Sequence, residues 1–207
     1  MSTRTIAIQF SDSSGRTSVR QGINFFGATK QEWKVADLHG NYAVHVRVDF
    51  PRRPKPENKL LFWKHPDGRM SHNGEISSKD RAYGLELVDG QRQGLLVEGE
   101  KCADAARAVL PASWLVAATV CGAASVPEEG VMDRLALIPR WFLWPDADAN
   151  GKGRQHMERI AAYMASKVNV RCVTWPDAPD GGDVADFLAS HRRTELMALL
   201  HRAKARP

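Results

Sequence analysis

Two aspartates one residue apart directly follow a hydrophobic run in the stretch FLWPDADANGKG, residues 142–153. Residues i and i+2 of an extended segment point to the same side, so Asp146 and Asp148 can converge on one point. Two carboxylates about 4 Å apart repel each other by roughly 4 kcal/mol at an effective dielectric constant near 20. A cation between them would remove that repulsion, so the pair is a candidate metal site. Turn formation and helix capping are the alternative roles, because Asp and Asn are common in both.

Further carboxylates occupy comparable places along the chain. Glu98 ends the apolar run GLLVE, and Gly99 after it permits a sharp bend; Asp183 and Asp186 lie in GGDVADFL at a predicted helix start. In α/β folds the carboxyl ends of the strands meet at one rim of the sheet, where ligands bind. Oxygen ligands without His or Cys suit Mg²⁺ or Mn²⁺ rather than zinc. Such an acidic cluster suits metal-assisted phosphoryl chemistry.

The elements that position these carboxylates alternate between strand and helix. Helical patterns cover residues 101–110, about 127–137, about 152–167 and most of the chain after 183. The apolar runs predict four strands, at 94–98, 114–120, 140–145 and 170–175. Alternating strands and helices predict an α/β fold with a mainly parallel four-stranded sheet flanked by helices.

The first half of the chain lacks this alternation. Residues 4–10 and 42–50 read as half-exposed strands, and KLLFWKHPDGRM at 59–70 reads as a hairpin with its turn at PDG. We therefore predict a small antiparallel or α+β module over residues 1–90 and an α/β domain over residues 91–207.

Basic residues are in excess, with a formal net charge of +5, which fits a polyanionic partner. One basic loop runs into the aromatic residues Phe62 and Trp63, and cations interleaved with aromatics suit single-stranded nucleic acid. The aromatics could equally form the core of the first module. The candidate nucleic-acid-binding residues are Arg52, Arg53, Lys55, Lys59 and Lys64.

Three other cations adjoin the acidic rim in sequence. Lys101, Lys152 and Arg154 are candidates for contacting a triphosphate or a DNA backbone, and solvated surface charge is the alternative for each. Glu100 is either a further rim ligand or a surface carboxylate.

Several classes of protein are excluded by composition. Three cysteines are too few and too scattered for a disulfide framework or a zinc ribbon. No apolar run approaches the roughly 20 residues of a membrane span, and the N-terminus lacks the apolar core of a signal peptide. We expect a soluble, cytoplasmic protein with no membrane partner.

The segments LLVEGEKCADAA, ATVCGAAS, FLWPDADANGKG and GGDVADFL together resemble the TOPRIM domain. This domain is shared by bacterial-type DNA primases, type IA and type II topoisomerases and some nucleases. The resemblance is greatest to primase-like TOPRIM proteins of phages, plasmids and integrated elements. It covers residues 94–190, and LFWKHPDGRM with RAYGLELV (61–88) resembles the segment that precedes TOPRIM in these primases.

The resemblance implies a role for each carboxylate. Glu98 would be the catalytic acid or base, or a carboxylate beside the metal. Asp146 and Asp148 would hold Mg²⁺ or Mn²⁺, and Asp183 with Asp186 would complete a second metal position. The implied activity is primer synthesis from nucleoside triphosphates on a single-stranded DNA template, with a replicative helicase or another replication subunit as a partner.

The sequence departs from replicative primases at Cys102, where they have an acidic residue four positions after the glutamate. Asp104 lies two positions further on, and its part in metal binding is open. A TOPRIM nuclease and a non-catalytic DNA-binding replication subunit remain the alternatives. A topoisomerase is disfavoured by the length of the chain and by its three tyrosines.

Overall fold

A computed structural model describes residues 8–11, 17–20, 27–54, 57–72, 74–122 and 125–205. The chain forms two compact units, one comprising residues 1–34 with 42–76 and the other comprising residues 35–41 with 77–207. Of the strand predicted at 4–10, residues 4–7 lie outside the described part.

The first unit is built from antiparallel strands. Strands β1 (Ile8–Ser11) and β2 (Thr17–Arg20) pair with each other. A second sheet has the order β3 (Thr29–Ala36), β4 (Tyr42–Asp49), β5 (Lys59–Lys64), in which β4 and β5 are antiparallel. The predicted turn at PDG is present: the Gly68 amide donates to the His65 carbonyl over 2.9 Å, and Gly68 has a φ of 88°.

Alternation of side chains along β4 explains how this sheet forms a core. Val46, Val48 and Phe50 form a buried cluster, and Leu60 and Phe62 of the neighbouring segment pack against it. Residues two apart point to the same face of a strand, which is why Val46, Val48 and Phe50 are buried together. The expected small module is therefore antiparallel.

The second unit contains a five-stranded sheet of order β10-β9-β8-β6-β7. Strands β6 to β9 are parallel, and the short β10 pairs antiparallel with β9. The strands are β6 (Gln93–Glu98), β7 (Trp114–Thr119), β8 (Arg140–Leu143), β9 (Asn169–Cys172) and β10 (Lys204–Ala205). The mainly parallel α/β fold is thus confirmed, with a fifth edge strand in addition to the four predicted.

Five helices cover the two faces of this sheet. They are α1 (Glu100–Val109), α2 (Glu129–Leu135), α3 (Lys152–Met164), α4 (Val184–Ser190) and α5 (Arg193–Arg202). One buried cluster joins α1, α4 and α5 to alternate strand residues such as Leu95 and Val97, and the other joins α2 and α3 to Leu96 and Leu143. Burial on both faces explains the almost uninterrupted apolar runs of β6 and β7.

Residues 77–90, predicted to belong to the first module, contribute to the core of the second unit. The main chain of Tyr83 exchanges two hydrogen bonds with Ala118 of β7, at 2.9 and 3.0 Å, and Ala82, Leu85 and Val88 are buried in the cluster that contains α2 and α3. The division at residue 90 stays a prediction. Within the described part of the chain, no helix combines the length and apolar character needed to cross a membrane.

Candidate metal centre

The carboxyl ends of β6 and β8 bring Glu98 and Asp146 together. These strands are direct neighbours, with Leu96 opposite Leu143, so both chains leave the sheet at the same rim. The backbone amide of Asp146 donates a hydrogen bond to Oε1 of Glu98 over 3.2 Å. The structure therefore joins two of the predicted site residues directly.

Glu98 is the more enclosed of the two carboxylates, with 6% of its surface exposed. Burial raises the pKa of the Glu98 carboxyl above its ordinary value; the hydrogen bond from Asp146 opposes this effect, and the charge of Asp148 adds to it. A pKa shifted in this direction makes a carboxyl a better proton acceptor, which suits a group that exchanges protons with a substrate.

Asp146 is the rim carboxylate whose pKa is most affected by neighbouring charges. Burial, and then the charges of Glu98, Asp183, Asp148 and Asp186 in that order of importance, together raise the pKa of Asp146 to about 8. Four carboxylates thus act on the carboxyl of Asp146. A divalent cation would relieve this repulsion.

Asp148 is held by the start of helix α3. The Gly153 amide donates to Oδ2 of Asp148 over 3.2 Å. A Cβ at position 153 would lie 2.6 Å from the Asp146 carbonyl oxygen and 2.8 Å from Oε1 of Glu98, so only glycine lets the helix approach this closely. This role of Gly153 was not predicted from the sequence. The pattern that could have indicated it is a second glycine two residues after Gly151, which has a φ of 69°.

Asp183 and Asp186 form a reciprocal capping box at the start of α4. The Asp186 amide donates to Oδ1 of Asp183 over 2.8 Å, and the Asp183 amide donates to Oδ2 of Asp186 over 3.2 Å. Asp183 is half-buried and Asp186 is exposed. Both carboxylates lie close enough to raise the pKa of Asp146, and each uses one oxygen in capping.

Cys102 lies beside this cluster on α1. It is 5% exposed, and burial raises the pKa of its thiol well above the ordinary value, with the charges of Asp183 and Asp146 adding to the effect. A neutral thiol therefore occupies the side of the centre that faces α4. Asp104 instead accepts a hydrogen bond from the Tyr83 hydroxyl at 2.7 Å.

Glu100 is not a surface carboxylate, which was one of the two roles expected for it. It lies in the first turn of α1 and is 4% exposed. Lys101 and Lys152, by contrast, are exposed at the starts of α1 and α3, and Arg154 is exposed one residue after Gly153. The three cations therefore begin the two helices that flank Glu98 and the Asp146–Asp148 segment.

The donor set fits a magnesium or manganese ion in its chemistry. All the candidate ligands are carboxylates, and burial together with the charge of neighbouring carboxylates raises the pKa values of Glu98 and Asp146. Among the described residues, however, no three side chains of His, Cys, Asp or Glu converge closely enough to hold an ion. Coordination by three carboxylates would therefore require side-chain rotation.

A pocket of about 540 Å³ adjoins the centre on the side of α3. Asp146 and Asp148 form part of its wall, together with Trp144 and with residues of the segment that follows β9, including Thr174 and Trp175. No sequence pattern pointed to this pocket, because it depends on the packing of two loops that lie far apart in the chain.

The candidate nucleic-acid-binding residues lie in the first unit. Arg52, Arg53 and Lys59 are exposed, and the Arg53 guanidinium lies 4.4 Å from the centre of the Phe50 ring. Lys64 instead forms an ion pair with Glu32 at 2.5 Å. Lys55 lies outside the described residues.

Three solved structures of primases have a similar fold. A DNA primase domain from Pseudomonas aeruginosa gives a TM-score of 0.64 at 15% identity, covering 95% of this chain and 57% of that one. The DnaG primase catalytic domain bound to single-stranded DNA gives 0.63 at 14% identity, covering 95% and 56%. The primase fragment of the bacteriophage T7 primase-helicase protein gives 0.52 at 17% identity, covering 83% and 62%.

These similarities identify the fold. The chain has the α/β fold of the DnaG-type primase catalytic core, so the expected fold is confirmed. It spans a little over half the length of these three primase chains. No protein-family model and no curated protein matches the sequence.

Proposed function

We propose that this chain is the catalytic core of a DNA primase, a metal-dependent nucleotidyltransferase that makes short primers on single-stranded DNA. The observation that carries the proposal is the junction of Glu98 and Asp146 at the carboxyl rim, within a fold similar to primase cores. A structural role alone would not explain why the half-buried Asp146 carboxyl is set beside four others, since unpaired buried charge costs stability.

The proposed metal ligands are Glu98, Asp146 and Asp148, with Asp183 and Asp186 at a second position. Mg²⁺ or Mn²⁺ bound there would neutralise phosphate charge and activate the attacking hydroxyl. The capping box limits Asp183 and Asp186 to the oxygens that do not accept backbone hydrogen bonds.

Glu98 is the proposed acid or base. Its raised pKa allows the carboxyl to hold or accept a proton, and the hydrogen bond from the Asp146 amide fixes the position of one of its oxygens. Lys101, Lys152 and Arg154 are proposed to contact the phosphates, since all three are exposed near the starts of α1 and α3.

The proposed partners are a single-stranded DNA template, nucleoside triphosphates and a replicative helicase or another replication subunit. One of the similar primase domains was solved bound to single-stranded DNA, and another belongs to a phage primase-helicase. We assign template contacts to Arg52, Arg53, Lys55 and Lys59, and a lesser contact to Lys64 because Glu32 already pairs with it. Replication of a phage or mobile element, in the cytoplasm, is the proposed setting.

A non-catalytic DNA-binding subunit is the second candidate. It is favoured by Cys102 beside Asp183 and by the lack, among the described residues, of three metal-ligand side chains that converge on one point. Such a subunit would bind DNA equally well with and without a divalent ion.

The test is incubation with a single-stranded template and labelled nucleotides, with and without Mg²⁺ or Mn²⁺. Metal-dependent strand synthesis that Asp146→Asn with Asp148→Asn abolishes supports the primase proposal. Cleavage of the template without nucleotides would identify a nuclease instead. DNA binding without either reaction would favour the binding subunit.

A further inference from the structure

A buried polar pair joins helix α3 to strand β7 below the carboxylate rim, and we call it the α3 anchor. Nε2 of His156 shares a hydrogen bond with Oγ1 of Thr119 over 3.1 Å, and both residues are 0% exposed. The surrounding side chains are apolar, since Ala117, Met157 and Ile160 belong to the buried cluster that joins α2 and α3 to the sheet. The α3 anchor is therefore a directional contact within an apolar interface.

Thr119 lies directly beside Glu98 in the sheet. The two residues are opposite each other in the parallel strands β7 and β6, and neighbouring strands lie about 4.8 Å apart. Ala117 and Leu96, each two positions earlier, face the buried cluster that contains α3. Because residues two apart share a face of a strand, the side chains of Thr119 and Glu98 both point toward α3.

Helix α3 meets these two side chains with two of its own residues. A Cβ at Gly153 would lie 2.8 Å from Oε1 of Glu98, and His156, three positions later, contacts Thr119. Residues three apart lie on the same side of a helix. The start of α3 therefore lies across both strand ends, with its glycine against Glu98 and its histidine against Thr119.

The hydrogen bond of the α3 anchor ties the helix to a strand that its chain connections do not reach. Helix α3 connects β8 to β9, whereas β7 lies beyond β6 on the other side of β8. Because a hydrogen bond requires a particular distance and angle, it specifies the position of α3 over β7 more closely than apolar packing does. The Gly153 amide, which donates to Oδ2 of Asp148, is positioned with the helix.

We propose that His156, acting through Thr119, is a positioning residue for the carboxylate centre. It holds the start of α3 so that the Gly153 amide orients Asp148 and the helix backbone confines Glu98. The inference rests on the proposed function, because the orientation of these carboxylates matters for an ion and its chemistry. Hydrogen-bonding groups behind metal ligands typically contribute about 10- to 100-fold in metal affinity or activity.

Two substitutions of Thr119 test the hydroxyl of the α3 anchor. Thr119→Val removes the hydroxyl and keeps the shape of the side chain, whereas Thr119→Ser keeps the hydroxyl. The readouts are the Mn²⁺ dissociation constant from calorimetry and nucleotide incorporation on a single-stranded template, both well below the melting temperature. We expect Thr119→Val to bind Mn²⁺ about tenfold more weakly and to incorporate nucleotides about tenfold more slowly, and Thr119→Ser to resemble wild type in both.

Hydrogen exchange at the Gly153 amide tests the α3 anchor in metal-free protein. The hydrogen bond to Asp148 protects this amide, so Thr119→Val should speed its exchange by allowing the start of α3 to open. Leu115→Val is the matched control, because Leu115 is buried on the same face of β7, four residues from Thr119. The control should lower the melting temperature but leave Gly153 exchange, Mn²⁺ affinity and incorporation as in wild type.

A second variant keeps the test open if thermal melting shows that Thr119→Val does not fold. Thr119→Val combined with His156→Leu replaces both partners by apolar groups, so neither is left buried without its hydrogen bond. The double variant should fold and show the same faster Gly153 exchange and weaker Mn²⁺ binding.

The outcomes separate this inference from the proposed function. If wild type binds Mn²⁺ and the anchor variant matches Leu115→Val in Gly153 exchange or in Mn²⁺ affinity, the pair is only structural and the inference is overturned while the proposed function stands. Weakened Mn²⁺ binding by Thr119→Ser equal to that of Thr119→Val would also overturn it, because the hydroxyl would not be the group responsible. If Gly153 exchange responds as expected but wild type neither binds Mn²⁺ nor incorporates nucleotides, the positioning of α3 is supported and the proposed function fails. Unchanged exchange in such a metal-free protein overturns both.

Discussion

The main-chain amide of Asp146 donates a hydrogen bond to Oε1 of Glu98 over 3.2 Å, although the two residues are 48 positions apart in the chain. Because the donor is a backbone group, substitution of the Asp146 side chain leaves it in place. Glutamine at position 98 would keep an acceptor oxygen of the same shape. The charges of this pair can therefore be removed one at a time with the geometry retained.

Glu98→Gln should reduce catalytic activity without changing the stability of the fold. The variant keeps the hydrogen bond from Asp146 but cannot hold or transfer a proton as a carboxyl does. We expect normal melting and DNA binding, with nucleotide incorporation reduced by a factor on the order of 10² or more, which is typical of acid–base groups. Glu129→Gln, at an exposed site on α2, should keep full activity. Unchanged incorporation by Glu98→Gln would remove Glu98 from the mechanism.

Mg²⁺ or Mn²⁺ should raise the melting temperature of the wild-type protein. Burial and the charge of neighbouring carboxylates raise the pKa values of Asp146 and Glu98; the ion relieves the repulsion between these charges, and it binds the unfolded chain poorly. Asp146→Asn combined with Asp148→Asn should abolish the shift in a thermal melting series over metal concentration. A double variant that gains as much as wild type would show that the ion binds elsewhere.

Without metal, stability should fall as the pH rises from about 4 to about 8. The pKa of Asp146 is raised from 3.8 to about 8 in the folded protein, so the folded state binds the proton more tightly than the unfolded chain does. The resulting stabilisation is complete below the unfolded pKa and is lost as the pH passes through the folded one. Each pKa unit is worth about 1.4 kcal/mol, so the total amounts to a few kcal/mol.

Asp146→Asn tests this pH dependence in EDTA. The amide carries no charge, so the variant should be more stable than wild type near pH 8 and should show a flatter profile between pH 5 and 8. Asp177→Asn, at an exposed site in the segment after β9, should follow wild type. A variant profile as steep as that of wild type would assign the dependence to another group.

The sequence was sufficient to predict the rim because Glu98 ends one apolar run and Asp146 and Asp148 directly follow another. The sequence does not determine the strand order. The contact between Glu98 and Asp146 could therefore not be predicted, because it depends on β6 and β8 being neighbours in the sheet. The capping box could have been predicted, because an acidic residue three positions after an aspartate at a helix start is its sequence signature. The burial of Glu100 had no local signal, since it results from tertiary packing.

DNA binding should weaken with salt, because each phosphate contact releases counterions, with a log–log slope of about −0.7 per contact on single strands. Replacing Arg52, Arg53, Lys55 and Lys59 by Ala should make the slope shallower in fluorescence anisotropy titrations. Lys64→Ala should change it less, since Lys64 pairs with Glu32. An unchanged slope in the fourfold variant would place the basic loop outside the DNA path.

Gly153→Ala should destabilise the protein and weaken the metal centre, because it adds a side chain where α3 contacts that centre. Glycine to alanine in a helix ordinarily stabilises by about 0.5–1 kcal/mol, but a Cβ here would lie 2.6 Å from the Asp146 carbonyl oxygen. We expect a loss of about 1–3 kcal/mol, as for overpacked cores, together with a smaller metal-induced rise in melting temperature. Gly130→Ala is a matched control, because Gly130 is also the second residue of its helix and its Cβ would meet only the movable side-chain end of Leu38, at 2.8 Å. If both substitutions leave stability and the metal response unchanged, the close approach of α3 is not what holds Asp146 and Asp148 at the rim.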